Sequence, residues 1–243
     1  MSQYEKRFYR DLHRNSNLTS YQIAIQESDL YIASTNPSME TAKKALLEAR
    51  ENIQSYIAIH PDFLSSLSPI SLESQNAPVC WMLDASSQCS VGPMAAVAGA
   101  VSRYVGEALL KENDEVIVEN GGDIFISSNS AKKILIYAGD SPISMKMAIE
   151  IPAGIFGVCT SAGKVGPSLS FGNADAAIVL SKNCALADAA ATLLGNYIQS
   201  DQNLKESIEK IMKISGVLGA VGICGEKIAA AGQIKLVPAQ SFF

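Results

Sequence analysis

Hydrophobic residues along the chain switch repeatedly between a period of two and a period near 3.6, which predicts a mixture of strands and helices. Residues 21–34, "YQIAIQESDLYIAS", form two apolar runs around residues 27–29 and predict a β-hairpin. Residues 39–59 carry Ala, Leu and Ile at the spacing of an amphipathic helix. The Ser- and Pro-rich residues 60–78 are predicted to form a surface connection with a short turn of helix.

The second part of the chain repeats this mixture. Residues 91–113 predict a helix that opens at Gly92-Pro93 and carries small residues, which permit close backbone approach. Residues 115–128, "EVIVENGGDIFISS", predict a hairpin that turns at Gly121-Gly122. Strands are predicted in "KKILIYAG", in "ISMKMAIEIP" and on both sides of a Gly- and Ser-rich loop in residues 154–181. In "ISMKMAIEIP" the strand is predicted to alternate, with Met145, Met147, Ile149 and Ile151 facing inward and Lys146, Ala148 and Glu150 facing outward.

One order of elements occurs twice. A helix rich in small residues precedes a hairpin at residues 91–128, and again, with an inserted helix over "QNLKESIEKIMKI", at residues 184–231. The second hairpin is predicted to turn at Gly225-Glu226. The repeated order predicts a duplicated α+β architecture, although the two copies share too little identity to count as a sequence repeat.

Composition and charge limit the classes of function. A chain of 243 residues with 48% hydrophobic and 18% charged residues can bury a full core, as a single domain over residues 1–243 with two intimately packed lobes. The net charge of -5 and the lack of a basic stripe argue against nucleic acid and favour a small soluble ligand. Residues 1–17 are polar where a signal peptide would be apolar, and no run of about 18 apolar residues occurs. We therefore predict a cytoplasmic protein that does not enter a membrane.

The helix predicted over "NCALADAAATLLGN" carries two polar residues inside an apolar sequence. Asp188 and Thr192 are four residues apart, so both side chains lie on one face of the helix. A buried carboxylate needs a partner, and a carboxylate with a neutral oxygen suits Mg²⁺, which keeps waters or phosphate oxygens as further ligands. In the alternative, Asp188 accepts backbone N–H bonds from a neighbouring loop and Thr192 bonds to a carbonyl of its own helix. Spacing alone does not separate these two interpretations.

The sequence "NGGDI" is a second candidate site. Gly121 and Gly122 would let backbone amides approach an anion, and Asp123 could accept a hydrogen bond from a hydroxyl or a ring nitrogen. From this motif alone, an ordinary hairpin turn is the better interpretation.

The sequence "VCTSAGKVGPS" is a third candidate site. It offers backbone N–H groups around Gly163, the hydroxyls of Thr160 and Ser161, and the Lys164 ammonium to a phosphate-bearing ligand. It lacks the spacing of a Walker loop. Cys159 lies where the strand meets this loop, so its sulfur could be exposed and activated, although a buried structural cysteine is the usual case.

These motifs, in this order, resemble the ApbE-like proteins, the family of the FAD:protein FMN transferases. The resemblance covers roughly residues 80–235. "VGPMAAVAGAVSRYVGEAL" resembles the family's Gly-rich helix, "VENGGDIFIS" its N-x-GGD hairpin, "VCTSAGK" its T-S-G loop and "ALADAAATLLGN" its A-D-x-x-A-T helix. The motifs "LYIAST", "CTSAG" and "SLSFGNADAA" are similar to those of a compact cytoplasmic branch of that family.

The resemblance implies a fold and a ligand. The fold would be α+β with two fused T-fold-like halves, mixed or antiparallel sheets and packed helices. Asp188 and Thr192 would be Mg²⁺ ligands beside the diphosphate of FAD or a related nucleotide. Gly121, Gly122 and Asp123, together with Thr160, Ser161 and Gly163, would line the dinucleotide pocket. The transferases move FMN from FAD to a threonine of an acceptor protein, with the metal polarising the diphosphate.

The chain departs from the transferases at two places. Val97 lies where the transferases carry a lysine in the Gly-rich helix, and "VGPSLSFGNADAA" lacks the histidine of their H-I-I-D-P-x-T-G segment, with Pro167 in its neighbourhood. Metal and ligand binding therefore carry over better than catalysis. As a second hypothesis, the compact branch is associated with sulfur assimilation in anaerobes, in which Cys159 would carry or position sulfur. The third hypothesis is a purely structural partner protein. A homodimer is expected for a protein of this size and class.

Overall fold

An eight-stranded antiparallel sheet forms the centre of the molecule. The computed structural model describes residues 18–163 and 171–239, and it confirms an α+β fold. The strand order in the large sheet is β1-β2-β3-β4-β7-β8-β9-β10, and a second sheet has the order β11-β6-β5. The strands are β1 Thr19–Ile25, β2 Ser28–Ser34, β3 Val116–Asn120, β4 Asp123–Ser128, β5 Lys132–Leu135, β6 Met147–Ile151, β7 Gly154–Ser161, β8 Ala176–Ser181, β9 Val217–Cys224, β10 Lys227–Gly232 and β11 Lys235–Pro238.

The large sheet consists of two halves with the same order of elements. Each half is a hairpin, then helices, then a second hairpin, with α1–α4 between β2 and β3, and α5 and α6 between β8 and β9. The sequence predicted the second part of this order, a helix followed by a hairpin in each half, whereas the assignment to a duplicated T-fold stays a prediction. The helices are α1 Met39–Ile59, α2 Asp62–Ser65, α3 Val79–Cys89, α4 Val97–Leu109, α5 Cys184–Tyr197 and α6 Leu204–Ile211.

The two faces of the large sheet are covered by different structures. Buried side chains of the helices pack on one face in a single hydrophobic cluster that includes Phe125 and Cys159. Side chains of the small sheet, among them Ile149 and Ile151, pack on the opposite face against Val158 and Ile178. Adjacent residues of a strand point to opposite faces, so β7 sends Val158 to the small sheet and Cys159 to the helices.

Some local predictions are wrong. The helix expected over residues 91–113 begins as a 3₁₀ turn at Pro93–Ala96 and becomes an α-helix only at Val97. Helix α3 was not predicted at all. Met145 lies outside the β6 strand with a φ of 62°, and Ala148, predicted to face outward, is fully buried. Ala148 is buried because β6 is the middle strand of the small sheet, between β5 and β11.

The start of α5 is held by its N-cap residue. The Asn183 side chain accepts hydrogen bonds from the backbone N–H groups of Ala185 at 3.1 Å and Leu186 at 3.4 Å. We expect Asn183→Ala to lower the free energy of unfolding by about 1 kcal/mol, because these two N–H groups lose their acceptor. Urea unfolding monitored by circular dichroism measures the change. Asn183→Asp keeps a capping oxygen and serves as the control, and an equal loss in both variants would contradict the prediction.

Candidate functional site

Helix α5 lies inside the protein, as its apolar sequence predicted. Ten of its fourteen residues are buried, and it packs against β7 and β8 and against α3 and α4. Asp188 is among the buried residues, with 9% of its surface exposed. The α5 sequence therefore places a carboxylate between the large sheet and two other helices.

The Asp188 carboxylate is held by the first turn of α4. Its Oδ2 accepts a hydrogen bond from the Gly99 backbone N–H at 2.8 Å, and the Ala98 backbone N–H also donates to it. The two helices approach closely at this point, since a Cβ atom on Gly99 would lie 2.5 Å from the Cys184 carbonyl oxygen and 2.8 Å from the Asp188 Cβ. The small residues in the Gly-rich helix thus bring two amide donors to one acid.

The NGGD motif forms the turn between β3 and β4. Asn120 pairs with Asp123, and the turn residues Gly121 and Gly122 have φ values of 69° and 106°, which favour glycine. The Gly122 N–H donates to Glu119 Oε1 at 2.8 Å. This amide is therefore engaged by a carboxylate of the protein itself.

The turn lies beside the T-S sequence at the end of β7. Asp123 Oδ1 accepts a hydrogen bond from the Thr160 backbone N–H at 3.3 Å, although the two residues are 37 positions apart. A Cβ atom on Gly122 would lie 3.9 Å from the Thr160 Cβ. From the helix side, the Ser102 hydroxyl donates to the Asp123 carbonyl oxygen at 3.0 Å. The second and third candidate motifs thus form one local structure.

Asp123 and Asp188 are close enough to affect each other electrostatically. Burial raises the pKa of Asp188 well above its usual range, the negative charge of Asp123 raises it further, and the Gly99 and Ala98 N–H groups oppose these effects. Within the described part of the chain, no Lys or Arg side chain forms an ion pair with Asp188. The site is therefore electronegative and its negative charge is costly.

Cys159 is not an exposed thiol. It is fully buried, its S–H donates to the Cys184 carbonyl oxygen at 3.4 Å, and its sulfur lies 3.7 Å from that of Cys184. Burial raises the pKa of Cys159 well above its usual range. Of the two interpretations of Cys159, the structure agrees with the buried structural cysteine, because its side chain points toward α5 rather than into the following loop.

The remaining predicted site residues differ in their surroundings. Ser161 is buried, and its hydroxyl has no hydrogen-bond partner among the described residues. Gly163 donates its backbone N–H to the Ala174 carbonyl at 2.9 Å, so this N–H is already engaged. Thr192 is half-buried, and the back-bond to its own helix is not among the hydrogen bonds of the described residues. Lys164 and Pro167 belong to residues 164–170, outside the described ranges.

The site does not contain a complete metal-binding cluster made of protein side chains. Within residues 18–163 and 171–239, no group of three or more His, Cys, Asp or Glu side chains is arranged to hold a metal ion. Two surface depressions lie elsewhere, one along α1 at Lys43 and Leu47 and one at His60 and Leu72. None of the helices in these ranges has the length and apolarity needed to cross a membrane.

Sequence reasoning missed the residues that complete the site. Ala98 and Gly99 supply amide donors to Asp188, and Cys184 packs against Cys159. The signal for Gly99 was present, because small residues in this helix predicted a close approach. Its partner was not identifiable, because Gly99 and Asp188 are 89 residues apart.

The fold is that of the solved ApbE proteins. The structure is similar to the Thermotoga maritima ApbE protein with a TM-score of 0.60 at 11% identity, covering 88% of this chain and 97% of that one. It is similar to the Pseudomonas stutzeri flavinyl transferase ApbE, apo form, with a TM-score of 0.53 at 11% identity, covering 88% and 94%. It is also similar to the Vibrio cholerae flavin transferase ApbE, with a TM-score of 0.54 at 13% identity, covering 93% of this chain and 98% of that one.

The family is shown by the sequence itself. A family model described as AbpE bacteria matches residues 10–217, and the chain belongs to this family. A UPF0280 protein of Methanothrix thermoacetophila is 43% identical over 208 residues, which cover 84% of this chain and 87% of that protein. A UPF0280 protein of Methanococcus vannielii is 42% identical over 213 residues, covering 82% and 86%. The ApbE-like resemblance of the motifs is thereby confirmed.

Proposed function

We propose that this protein binds a flavin nucleotide diphosphate, FAD or a close relative, together with Mg²⁺ at Asp188. The observation that carries the proposal is the pair of buried carboxylates, Asp123 and Asp188, which lie close enough for the charge of one to affect the other. A buried negative charge is unfavourable unless a cation or hydrogen-bond donors answer it. The Gly99 N–H answers the Asp188 charge only in part, because the pKa of Asp188 is still raised, and bound Mg²⁺ would supply the positive charge that is missing.

The donor set suits Mg²⁺ better than a metal held entirely by protein. Mg²⁺ is usually bound through one or two carboxylates, with waters and substrate phosphate oxygens as its other ligands. Asp188 supplies a carboxylate with Oδ2 fixed by Gly99, and Thr192 supplies a neutral oxygen one turn further along α5. The lack of a third acidic or sulfur ligand in the described residues agrees with a site that the ligand's phosphates complete.

The other residues of the site would bind and orient the ligand. Asp123 is held by the Thr160 N–H and lies next to the NGGD turn, so its carboxylate is suited to accept a hydrogen bond from a ligand hydroxyl or ring nitrogen. The Ser161 hydroxyl is available as a donor to a ligand oxygen. Glu119 engages the Gly122 N–H, so the proposal assigns no anion to that amide.

The choice of a flavin as the ligand rests on the ApbE fold and on the family. The solved neighbours from Pseudomonas stutzeri and Vibrio cholerae are named as a flavinyl transferase and a flavin transferase. Mg²⁺, when bound, would polarise the diphosphate of the ligand. We limit the proposal to binding rather than FMN transfer to an acceptor protein. Val97 and the histidine-free segment around Pro167 lack two side chains that the resemblance associates with transfer.

The sulfur hypothesis has no supporting observation in this structure. A cysteine that passes sulfur to a partner needs a sulfur that the partner can reach, and cysteines that react rapidly lie in partly exposed, electropositive surroundings. Cys159 is fully buried beside Asp123 and Asp188, whose charges add to the effect of burial on its pKa. We therefore propose nucleotide binding alone.

A ligand series tests the proposal on the unaltered protein. We expect FAD to bind more tightly in the presence of Mg²⁺ than in EDTA, because the cation joins the diphosphate to Asp188. Riboflavin carries no phosphate, so we expect its binding to be unaffected by Mg²⁺. Quenching of flavin fluorescence measures both, and calorimetry with ADP and Mg²⁺ shows whether the flavin ring contributes.

FAD titrations that are the same with Mg²⁺ and with EDTA would remove the metal from the proposal. Failure of FAD and ADP to bind under either condition would remove nucleotide binding altogether.

A further inference from the structure

Cys159 and Cys184 form a pair of thiols in the interior of the protein. Their sulfur atoms are 3.7 Å apart, and the two residues are 0% and 1% exposed. They belong to different elements, because Cys159 lies on β7 and Cys184 is the first residue of α5. The Cys184 S–H donates to the Ile124 carbonyl at 3.5 Å, so both sulfurs are held in position by hydrogen bonds.

A glycine enforces this close approach. A Cβ atom on Gly157 would lie 2.4 Å from the Cys184 Cα and 3.0 Å from its backbone nitrogen. Only a residue without a side chain therefore lets the start of α5 lie directly on β7. Gly157 and Cys159 point to the same face of the sheet, which brings the Cys159 sulfur to Cys184.

We propose that Cys159 and Cys184 are a modification site that closes as an intramolecular disulfide when the protein meets a small peroxide. One thiol attacks the peroxide oxygen, the O–O bond breaks, and a sulfenic acid and one water form. The second sulfur attacks the sulfenic sulfur, the S–S bond forms, and hydroxide leaves and takes up the thiol proton as a second water. In total, two thiols and one hydrogen peroxide give one disulfide and two waters.

The distance between the sulfurs makes the second step intramolecular. A disulfide has an S–S length of about 2.05 Å, so the sulfurs, now 3.7 Å apart, must approach each other by less than about 2 Å. Cys80 and Cys224 are partly exposed on other elements, at the start of α3 and the end of β9. Those thiols meet the oxidant first, whereas the pair reacts more slowly, because both of its thiols are buried and have raised pKa values.

Peptide mapping of the oxidised full chain tests the proposal. The folded protein is incubated with hydrogen peroxide until no further change occurs, denatured, alkylated without reduction and digested. We expect a linked pair of peptides that contain Cys159 and Cys184, lighter by two hydrogens than the separate peptides and separated by dithiothreitol. The variant Cys80→Ser/Cys224→Ser keeps the pair and is expected to give the same link.

Two further measurements separate this native bond from a chance product. The bond closes a loop with a separation of 25 residues, so we expect the melting temperature of the oxidised double variant to be higher than that of the reduced form. In Cys159→Ala, Cys184 has no neighbouring thiol and is expected to accumulate a sulfenic acid, which dimedone traps when the protein is denatured in its presence. Alkylation of both cysteines in full after peroxide treatment would overturn the proposal, and so would a link that lowers the melting temperature.

Discussion

Replacing Gly99 with alanine is expected to lower the free energy of unfolding by about 1–3 kcal/mol, the usual cost of inserting a carbon atom into a packed interior. In an open helix the same change would stabilise the protein by about 1 kcal/mol, because alanine is the better helix former. At Gly99 the new Cβ atom would lie 2.5 Å from the Cys184 carbonyl oxygen and 2.8 Å from the Asp188 Cβ. Helices α4 and α5 would have to separate. Urea unfolding followed by circular dichroism measures the change.

Separation of the two helices also has a consequence for the site. The Gly99 N–H would move away from Asp188 Oδ2, so we expect Gly99→Ala to weaken FAD binding in the presence of Mg²⁺ as well. Val97→Ala is the control on the same helix, because it shortens a half-buried side chain and is expected to change the stability by less than about 1 kcal/mol. A Gly99→Ala variant as stable as the unaltered protein would mean that the helices do not meet at this point.

Replacing Asp188 with asparagine is expected to remove the Mg²⁺ dependence of FAD binding. The amide oxygen can still accept the Gly99 N–H, so the substitution changes the charge and little of the shape. A charged ligand interaction of about 1.5–3 kcal/mol corresponds to a loss of roughly 10- to 100-fold in affinity. FAD titrations at several Mg²⁺ concentrations measure the loss.

Asp175→Asn is the matched control for this variant. Asp175 is also buried and accepts a backbone N–H, from Gly225 at 2.6 Å, but it lies directly before β8, near the β9–β10 turn. We expect it to leave the Mg²⁺ dependence intact. Equal losses in the two variants would indicate a general effect of removing buried carboxylates rather than a metal ligand.

The same Asp188→Asn variant is expected to be more stable than the unaltered protein in metal-free buffer, by an amount that grows with pH. The pKa of Asp188 is raised in the folded protein, mainly by burial and then by the charge of Asp123, whereas the unfolded value is about 3.9. The folded state therefore holds the proton more tightly. The tighter binding of this proton stabilises the folded protein fully below pH 3.9. This stabilisation is lost as the pH rises through the pKa of Asp188 in the folded protein.

Asparagine does not titrate, so this loss is absent in the variant. Melting temperatures of both proteins, measured in EDTA from pH 4 upward, give the difference directly. A difference that is constant over this range would show that Asp188 has an ordinary pKa in the folded protein.

The sequence by itself determined most of the elements and two of the turns. The alternation of β3 and β4 and the two glycines between them require a hairpin, and the apolar residues of α5 require burial on nearly every side. Local patterns failed at α3, and they failed at Ala148, whose burial depends on its position in the middle strand of the small sheet.

Only the tertiary structure decided which residues meet. Gly99 contacts Asp188 across 89 positions, and Asp123 contacts Thr160 across 37, because the antiparallel sheet and the crossing of α4 over α5 bring distant segments together. The environment of Cys159 was decided in the same way. Its position at a strand end is local information, but its burial and its closeness to Cys184 depend on the packing of α5 against β7, which Gly157 makes possible. A periodic pattern specifies the direction in which a side chain points, whereas its neighbours are set by contacts between residues far apart in the chain.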